Sequence, residues 1–363
     1  MVRNVLLSGY YGFGNTGDEA ILASTVKALR KARPDLNIMV LSKHPDETSR
    51  SYDVESYPRM AIGKVMRAIS KADLVIFGGG SLLQDATSLR SLMYYLAIIY
   101  LSRIFKKPVV VYANGIGPVN SRLGRILTRR ALTQVEEITV RDGESENELR
   151  RMGVTKNIRV TADPAFLLEP SPSRVVHTIL ESQGIQPSPG IIWIALREIK
   201  APSWFREQFM GLISWMRQEG FVPCFLAMQE RDIEVANGLN KEFTGENSTP
   251  LPVVSGISPE DALGILGKGE FCIGMRLHTL ILSARTVVPF MGIEIDPKIG
   301  AFCRIAGCPV LPQPASSPNL DIHKEFADLV KNKDRYVAIL GRNLPVFTSL
   351  ARDNIDVILS HLE

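Results

Sequence analysis

Alternation constrains this chain more than any other feature. Short apolar runs at residues 4–8, 38–42, 74–77, 109–113, 138–140 and 158–161 are separated by helical patterns at about 18–32, 59–71, 89–105, 122–134 and 144–152. Runs that are apolar throughout suit strands buried on both faces, and helices between such strands make the connections parallel. The pattern restarts after residue 190, with strands expected at 191–196, 221–227, 252–254, 271–273 and 287–293. The chain therefore reads as α/β, with two Rossmann-like, doubly wound domains facing across a cleft. Ligands in such sheets bind beyond the carboxyl ends of the strands.

Two Pro/Ser-rich clusters, 169–173 and 186–190, flank one short helix and mark the break. The expected organisation is a first domain over 1–170, a linker region over 171–190 and a second domain over 191–343. An amphipathic helix over 344–363 follows Asn343. Periodicity alone does not decide whether that helix crosses back onto the first domain.

Composition supports a soluble globular protein, with 363 residues, 45% hydrophobic and 22% charged. A net charge of +4 is too mild to imply nucleic acid, and basic residues are not interleaved with aromatics on a recognisable module. The distribution says more. Between residues 87 and 135 there is no Asp or Glu, while Arg90, Arg103, Lys106, Lys107, Arg122, Arg125, Arg129 and Arg130 all fall there. That is either a set of solvated helix faces or a basic surface facing a phosphate-bearing or membrane-bound partner. The apolar stretch 92–101 is shorter than the ~20 residues a span needs, so it is a buried core helix or an interfacial one. The N-terminal segment lacks a signal-peptide pattern. Cys224, Cys272, Cys303 and Cys308 form no CxxC pair, and their spacing suggests neither zinc nor a disulfide framework. A cytoplasmic protein is expected, with contact at the inner face of the cell membrane as the extension of the basic-surface reading.

Several strand ends carry Gly-rich or polar signatures. The first is Gly9-Tyr10-Tyr11-Gly12-Phe13-Gly14-Asn15-Thr16-Gly17-Asp18-Glu19. Its spacing is not the GxGxxG dinucleotide fingerprint, and Thr16-x-x-Glu19 reads as a capping box. Asp18 and Glu19 oppose an anion there and suit sugar hydroxyls better. Phe77-Gly78-Gly79-Gly80-Ser81-Leu82-Leu83-Gln84-Asp85 repeats the arrangement, with Ser81-x-x-Gln84 as a second capping box. Three consecutive glycines exceed what a turn needs, so a ligand or a neighbouring backbone should come close. Asn114-Gly115-Ile116-Gly117-Pro118, Arg141-Asp142 and Asp163-Pro164 follow later strands.

In the second half, Met275-Arg276-Leu277-His278 follows a strand and opens a helix, and Asp296-Pro297-Lys298 follows the next strand. Residues two apart do not share a helix face, so Arg276 and His278 converge on one ligand only at a strand-to-helix turn. Two cations and a titratable imidazole suit a small, highly anionic substrate. His278 is the best candidate for proton transfer near pH 7. Serine-hydrolase, P-loop, HExxH and EF-hand patterns are missing, and no metal cluster is evident.

Taken in order, these segments resemble the polysaccharide pyruvyl transferase family. The likeness rests on residues 12–21, 78–85, 115–118, 141–142, 162–166, 275–278 and 296–298, and spans roughly 5–310. It looks closest to the CsaB-type bacterial members, which attach a pyruvyl ketal to N-acetylmannosamine in secondary cell-wall polymers that anchor S-layer proteins. The resemblance implies a GT-B-like fold, phosphoenolpyruvate as co-substrate, and no metal or other cofactor. On that reading Arg141, Arg276 and Lys298 bind the donor, and Arg276 and His278 are catalytic. Gly14, Asn15, Gly17, Asp18, Glu19, Gly79, Gly80 and Asp85 then line the acceptor site, and the acceptor is a lipid-diphosphate-linked saccharide. Rival readings are a GT-B glycosyltransferase using a nucleotide sugar, with Glu294 or Asp296 on the ribose, and a non-catalytic polysaccharide-binding protein.

Overall fold

A computed structural model describes residues 3–86, 88–186, 190–199, 201–243, 249–314 and 320–362. Residue 87, which opens the acid-free stretch, and 187–189 of the second Pro/Ser cluster lie outside the described residues. The chain divides into two compact units, Met1–Leu168 with Phe347–Glu363, and Glu169–Val346.

The first unit runs β1 (Asn4–Tyr11), α1 (Thr16–Ala32), β2 (Asn37–Ser42), α2 (Pro45–Tyr52), β3 (Glu55–Pro58), α3 (Ile62–Lys71), β4 (Leu74–Gly78), α4 (Leu89–Ile104), β5 (Val109–Asn114), α5 (Arg122–Leu132), β6 (Glu137–Val140), α6 (Gly143–Arg151) and β7 (Ile158–Val160). The strands are parallel, in the order β3-β2-β1-β4-β5-β6-β7. The chain builds outward from β1 and then returns to place β4 on its other side. That reversal leaves a crevice at the strand ends. Two cores flank the sheet. One lies under α3, α4, α5 and α6. The other lies under α1 and the C-terminal residues Ile355, Val357, Ile358 and Leu362.

The second unit runs α7 (Ser173–Ser182), β8 (Ile191–Ala195), α8 (Ser203–Gln218), β9 (Val222–Leu226), α9 (Glu230–Phe243), β10 (Val253–Val254), α10 (Pro259–Leu266), β11 (Phe271–Gly274), α11 (Leu277–Arg285), β12 (Phe290–Ile293), α12 (Pro297–Ala306), β13 (Val310–Leu311) and α13 (Ile322–Lys331). Its parallel sheet has the order β10-β9-β8-β11-β12-β13. The same reversal recurs, now between β8 and β11. Cys224, Cys272, Cys303 and Cys308 are all buried free thiols.

Some local expectations need correction. Strand β3, sequence ESYP, went unread because it is a half-exposed edge strand ending in proline, where an apolar run is not required. β13 is two residues long and gives no periodic signal. The C-terminal helix α14 (Lys333–Ser360) begins well before residue 344 and passes through Pro345. In the stretch 92–101, expected as a core or an interfacial helix, Leu92, Leu96, Ile98 and Ile99 of α4 are buried while Met93 is exposed.

Candidate functional site

At the β1 end of the first unit, the helix cap differs from the expected one. Asn15, not Thr16, caps α1, its Oδ1 accepting from the Gly17 N–H at 3.0 Å. Glu19 reaches past the cap. Its Oε1 accepts the Gly12 N–H at 2.7 Å and its Oε2 accepts the Tyr52 hydroxyl at 2.9 Å. Burial raises the Glu19 carboxyl above its usual range, and these two bonds pull in the other direction. Glu19 therefore holds the glycine loop in shape. Gly14 is exposed, while Asn15 and Asp18 are half-buried beside it.

The triple glycine is explained by close neighbours. A Cβ at Gly78 would collide with the Tyr112 carbonyl oxygen, and one at Gly80 would lie 2.6 Å from Asp18 Oδ1. Gly80 has φ +78°, in the left-handed region that favours glycine. So Gly79 and Gly80 bring the β4 end against α1 and join the Asp18 loop. The second expected capping box is not formed, because residues 81–86 are not helical and α4 starts at Leu89 with Ser88 as its cap. Asp85 instead accepts the backbone N–H groups of Asn120 at 2.7 Å and Ser121 at 2.8 Å. Desolvation works against the Asp85 carboxylate, but these bonds win and hold it below its usual range.

Arg141, after β6, is buried. Its Nη1 pairs with Asp163 at 3.1 Å and its Nη2 donates to Ser81 at 2.9 Å. Arg141 thus lies in the first unit, whereas Arg276, His278 and Lys298 lie in the second.

The sequence reading passed over Arg59. This residue follows β3 and is 8% exposed. Its guanidinium stands 4.2 Å from the Tyr94 ring, 4.9 Å from Phe13 and 5.3 Å from Tyr95. Lys43 Nζ is 5.0 Å from the same Phe13 ring, and Tyr10 stacks on Phe13 at 3.8 Å. Among the described residues no carboxylate pairs with Arg59. A buried cation held only by aromatic faces and neutral oxygens is electrostatically open to an anion. Three scattered aromatics gave no sequence signal for it.

In the second unit, the ends of adjacent strands β8, β11 and β12 collect the cations. Arg276 is the N-cap of α11 in extended backbone and gives that helix no side-chain cap. The first N–H groups of α11 and its dipole therefore favour an anion. His278, half-buried, sits in the first turn. The strand-to-helix turn expected at these residues is therefore formed, with Arg276 at the cap and His278 in the first turn. Arg276 Nε donates to Asp232 Oδ2 at 3.1 Å, and its Nη2 pairs with the other carboxylate oxygen. Asp232 is buried at the start of α9, 44 residues away, and was not anticipated. Lys298 pairs with Asp296 at 3.3 Å, and Asp296 also caps α12 by accepting the Lys298 N–H at 3.1 Å.

Arg197, after β8, is the second unanticipated cation. Burial, then the like charge of Arg276, hold its guanidinium below the usual range, while Asp232 and Asp296 act in the other direction. Among the described residues Arg197 makes no ion pair. Arg197, Arg276 and Lys298 thus share one rim with Asp232 and Asp296, and with Glu294, which follows β12 and lies against Gly300 of α12. Beside them opens an apolar pocket lined by Leu196, Arg197, Ile199, Phe205, Phe209 and Met275. Among the described residues no group of three or more His, Cys, Asp or Glu side chains is placed to hold a metal ion. No helix there is long and apolar enough to cross a membrane.

Comparison with known proteins agrees with this layout. The chain is 23% identical over 369 residues to the amylovoran biosynthesis protein AmsJ of Erwinia amylovora, covering 84% of this chain and 86% of that one. Among solved structures it resembles S. aureus MnaA with UDP, at a TM-score of 0.67 and 12% identity over 99% of this chain and 97% of that one. It also resembles the UDP-GlcNAc 2-epimerase of Neisseria meningitidis bound to UDP-GlcNAc, at a TM-score of 0.64 and 13% identity over 98% and 100% of the two chains. At such identities the structures establish the fold, a GT-B-like pair of Rossmann-like domains. The family model for polysaccharide pyruvyl transferase matches residues 15–297, which include Asn15, Asp18, Arg141, Arg276 and His278. The chain belongs to the polysaccharide pyruvyl transferase family.

Proposed function

We propose that this protein moves the pyruvyl group of phosphoenolpyruvate onto a sugar of a lipid-diphosphate-linked saccharide, forming a 4,6-ketal and releasing phosphate. The observation that carries the reading is the uncapped N-terminus of α11, with Arg276 at its cap, His278 in its first turn and the unpaired Arg197 nearby. Phosphoenolpyruvate brings a carboxylate and a phosphate, and guanidinium groups bind both in bidentate fashion. Arg276, Arg197 and Lys298 supply that charge in the second unit. Arg141 stays in this reading as a donor residue whose orientation Asp163 fixes.

Atoms balance as follows. Two sugar hydroxyls add to the same donor carbon, the methylene gains a proton to become methyl, and the C–O bond to phosphate breaks. One hydroxyl proton replaces the proton delivered to the methylene, and the other leaves with phosphate. His278 is the group that carries these protons. Fixed positive charge and positioning supply most of the acceleration.

The acceptor is assigned to the first unit, where Asn15 and Asp18 offer hydroxyl partners and the Tyr10–Phe13 stack offers a flat face to a sugar ring. Arg59 and Lys43 supply the cations a diphosphate needs. The family model for polysaccharide pyruvyl transferase, with the amylovoran biosynthesis protein AmsJ as a relative, supports a polysaccharide precursor as acceptor. N-acetylmannosamine of a secondary cell-wall polymer, an S-layer anchoring role and a cytoplasmic site of action belong to the same proposal.

The test is incubation with phosphoenolpyruvate and a lipid-linked acceptor ending in N-acetylmannosamine, with and without added chelator. One phosphate released per added pyruvyl ketal, unaffected by chelator, is expected. Release with no mass change on the sugar would sink the transfer reading. A nucleotide-sugar donor is the second reading, favoured by the apolar pocket beside Arg197. Calorimetry separates the two, since uridine diphosphate binding tighter than phosphoenolpyruvate would select it.

A further inference from the structure

Three neighbouring helices of the first unit carry no carboxylate at all. The segments of α3, α4 and α5 read IGKVMRAISK, LRSLMYYLAIIYLSRI and RLGRILTRRAL. They lie over one core on one face of the sheet, α3 packing on α4 and α4 on α5. Each helix follows a strand and runs back antiparallel to it, so their N-terminal turns share the edge where the strand ends carry the acceptor loops.

That edge is apolar as well as cationic. Met60 and Ile62 are 74% and 72% exposed just before and at the start of α3, and Leu123 is 55% exposed at the start of α5. Leu89, Met93 and Ile126 are also exposed, all within the first two turns of α4 or α5. Around them Lys64, Arg67, Arg90 and Arg122 are exposed, while Arg129 and Arg130 belong to the last turn of α5, away from this edge. Arg125 is a separate case, pairing with Glu148 at 3.0 Å. A merely solvated face mixes both signs and hides its large aliphatic side chains. Helix α6, on the same sheet face, does mix them, with Glu144 and Glu146 in its first turn and Arg150 and Arg151 in its last.

We propose that the N-terminal turns of α3, α4 and α5 form a docking surface for an anionic lipid bilayer. The exposed aliphatic side chains enter the headgroup boundary while the surrounding Lys and Arg side chains meet the lipid phosphates. A nucleic acid would use the cations but gain nothing from Met60, Ile62 and Leu123. A second copy in an isologous contact would set like charge against like charge. A bilayer takes both features together. The surface places the acceptor-bearing rim at the membrane. It rests on the lipid-linked acceptor reading for its purpose only, and its test contains neither donor nor acceptor, so either idea can fail alone.

The test is co-sedimentation of the full chain with vesicles of phosphatidylcholine alone and of phosphatidylcholine mixed with phosphatidylglycerol. Binding to the anionic vesicles, weakened by salt, is expected, with little binding to the neutral ones. Replacing Lys64→Gln, Arg90→Gln and Arg122→Gln together should weaken binding roughly a hundredfold, at about fivefold per charge. The pair Ile62→Ser with Leu123→Ser should weaken it at least about tenfold. The pair Lys27→Gln with Lys31→Gln, on the opposite face of the sheet, should leave binding unchanged. Circular dichroism and thermal unfolding verify that each variant is folded. Equal binding to both vesicle types, or surface variants that bind like the parent, would overturn the proposal. So would an apolar pair that changes oligomeric state and not vesicle binding.

Discussion

The two units share a sheet topology, but their strand ends differ in how the charged groups are engaged. In the first unit the carboxylates mostly serve the protein's own backbone: Glu19 accepts the Gly12 N–H, Asp85 accepts those of Asn120 and Ser121, and Asp163 holds Arg141. In the second unit the carboxylates serve side-chain cations, Asp232 pairing with Arg276 and Asp296 with Lys298, while Arg197 makes no ion pair among the described residues. One rim is shaped by internal hydrogen bonds and presents hydroxyl-binding groups beside one aromatic-bound guanidinium. The other holds like charges close together and is relieved by a bound anion. On the proposed reading, a single fold used twice gives one rim for the sugar and diphosphate of the acceptor and one for a small polyanion.

The largest effect that would sharpen this contrast is in catalysis. His278→Ala should lower kcat roughly a hundredfold to ten-thousandfold while phosphoenolpyruvate affinity changes little. Single-turnover phosphate release and donor calorimetry measure the two separately, and an unchanged rate removes His278 from proton transfer. Buried ion pairs come next. Asp163→Ala in the first unit strands the buried Arg141 and should cost about 3–5 kcal/mol in urea unfolding, and Asp232→Ala in the second leaves the half-buried Arg276 without its partner and should cost less. Donor at saturating concentration should recover stability for the Asp232 variant, where the released Arg276 faces the anion. Equal recovery in both variants would break the distinction between the rims.

Arg59→Met should raise KM for a diphosphate-linked acceptor about tenfold, with kcat and the KM for a phosphate-free sugar nearly unchanged. Equal effects on both acceptors would make Arg59 a packing residue. The smallest effect is a pH dependence. The Asp85 carboxyl is held below its usual range, so its stabilising contribution is complete above the unfolded value near ~4 and is lost as pH falls through the lower folded value. Wild type and Asp85→Asn should differ in unfolding midpoint at neutral pH and converge under acid conditions. A gap that persists there would mean the side chain acts by packing.

Much of this was present in the one-dimensional pattern. Fully apolar runs between helical segments specify parallel strands buried on both faces, and glycine or polar clusters after those runs lie at the strand ends for the same reason. The positions of Asp18, Gly80, Arg276, His278 and Lys298 on the two rims follow from local signals a few residues long. The edge strand β3 was not legible, since a half-exposed strand needs no apolar run. Nor were the caps fully legible, because Glu19 could bond either the cap residue or Gly12, and the loop path chose Gly12.

The sequence by itself determined the alternation, the two sheets and which residues stand at strand ends, because those depend on burial and on neighbours a few positions apart. Only the tertiary structure decided which charge meets which. It brings Asp232 to Arg276 across 44 residues and Arg59 among Phe13, Tyr94 and Tyr95. It also sets Asn354 against Thr139, Thr161 and Ala162, tying the end of α14 to the first unit. Such pairings depend on distances set by the packed sheets and helices, and no local periodicity encodes them.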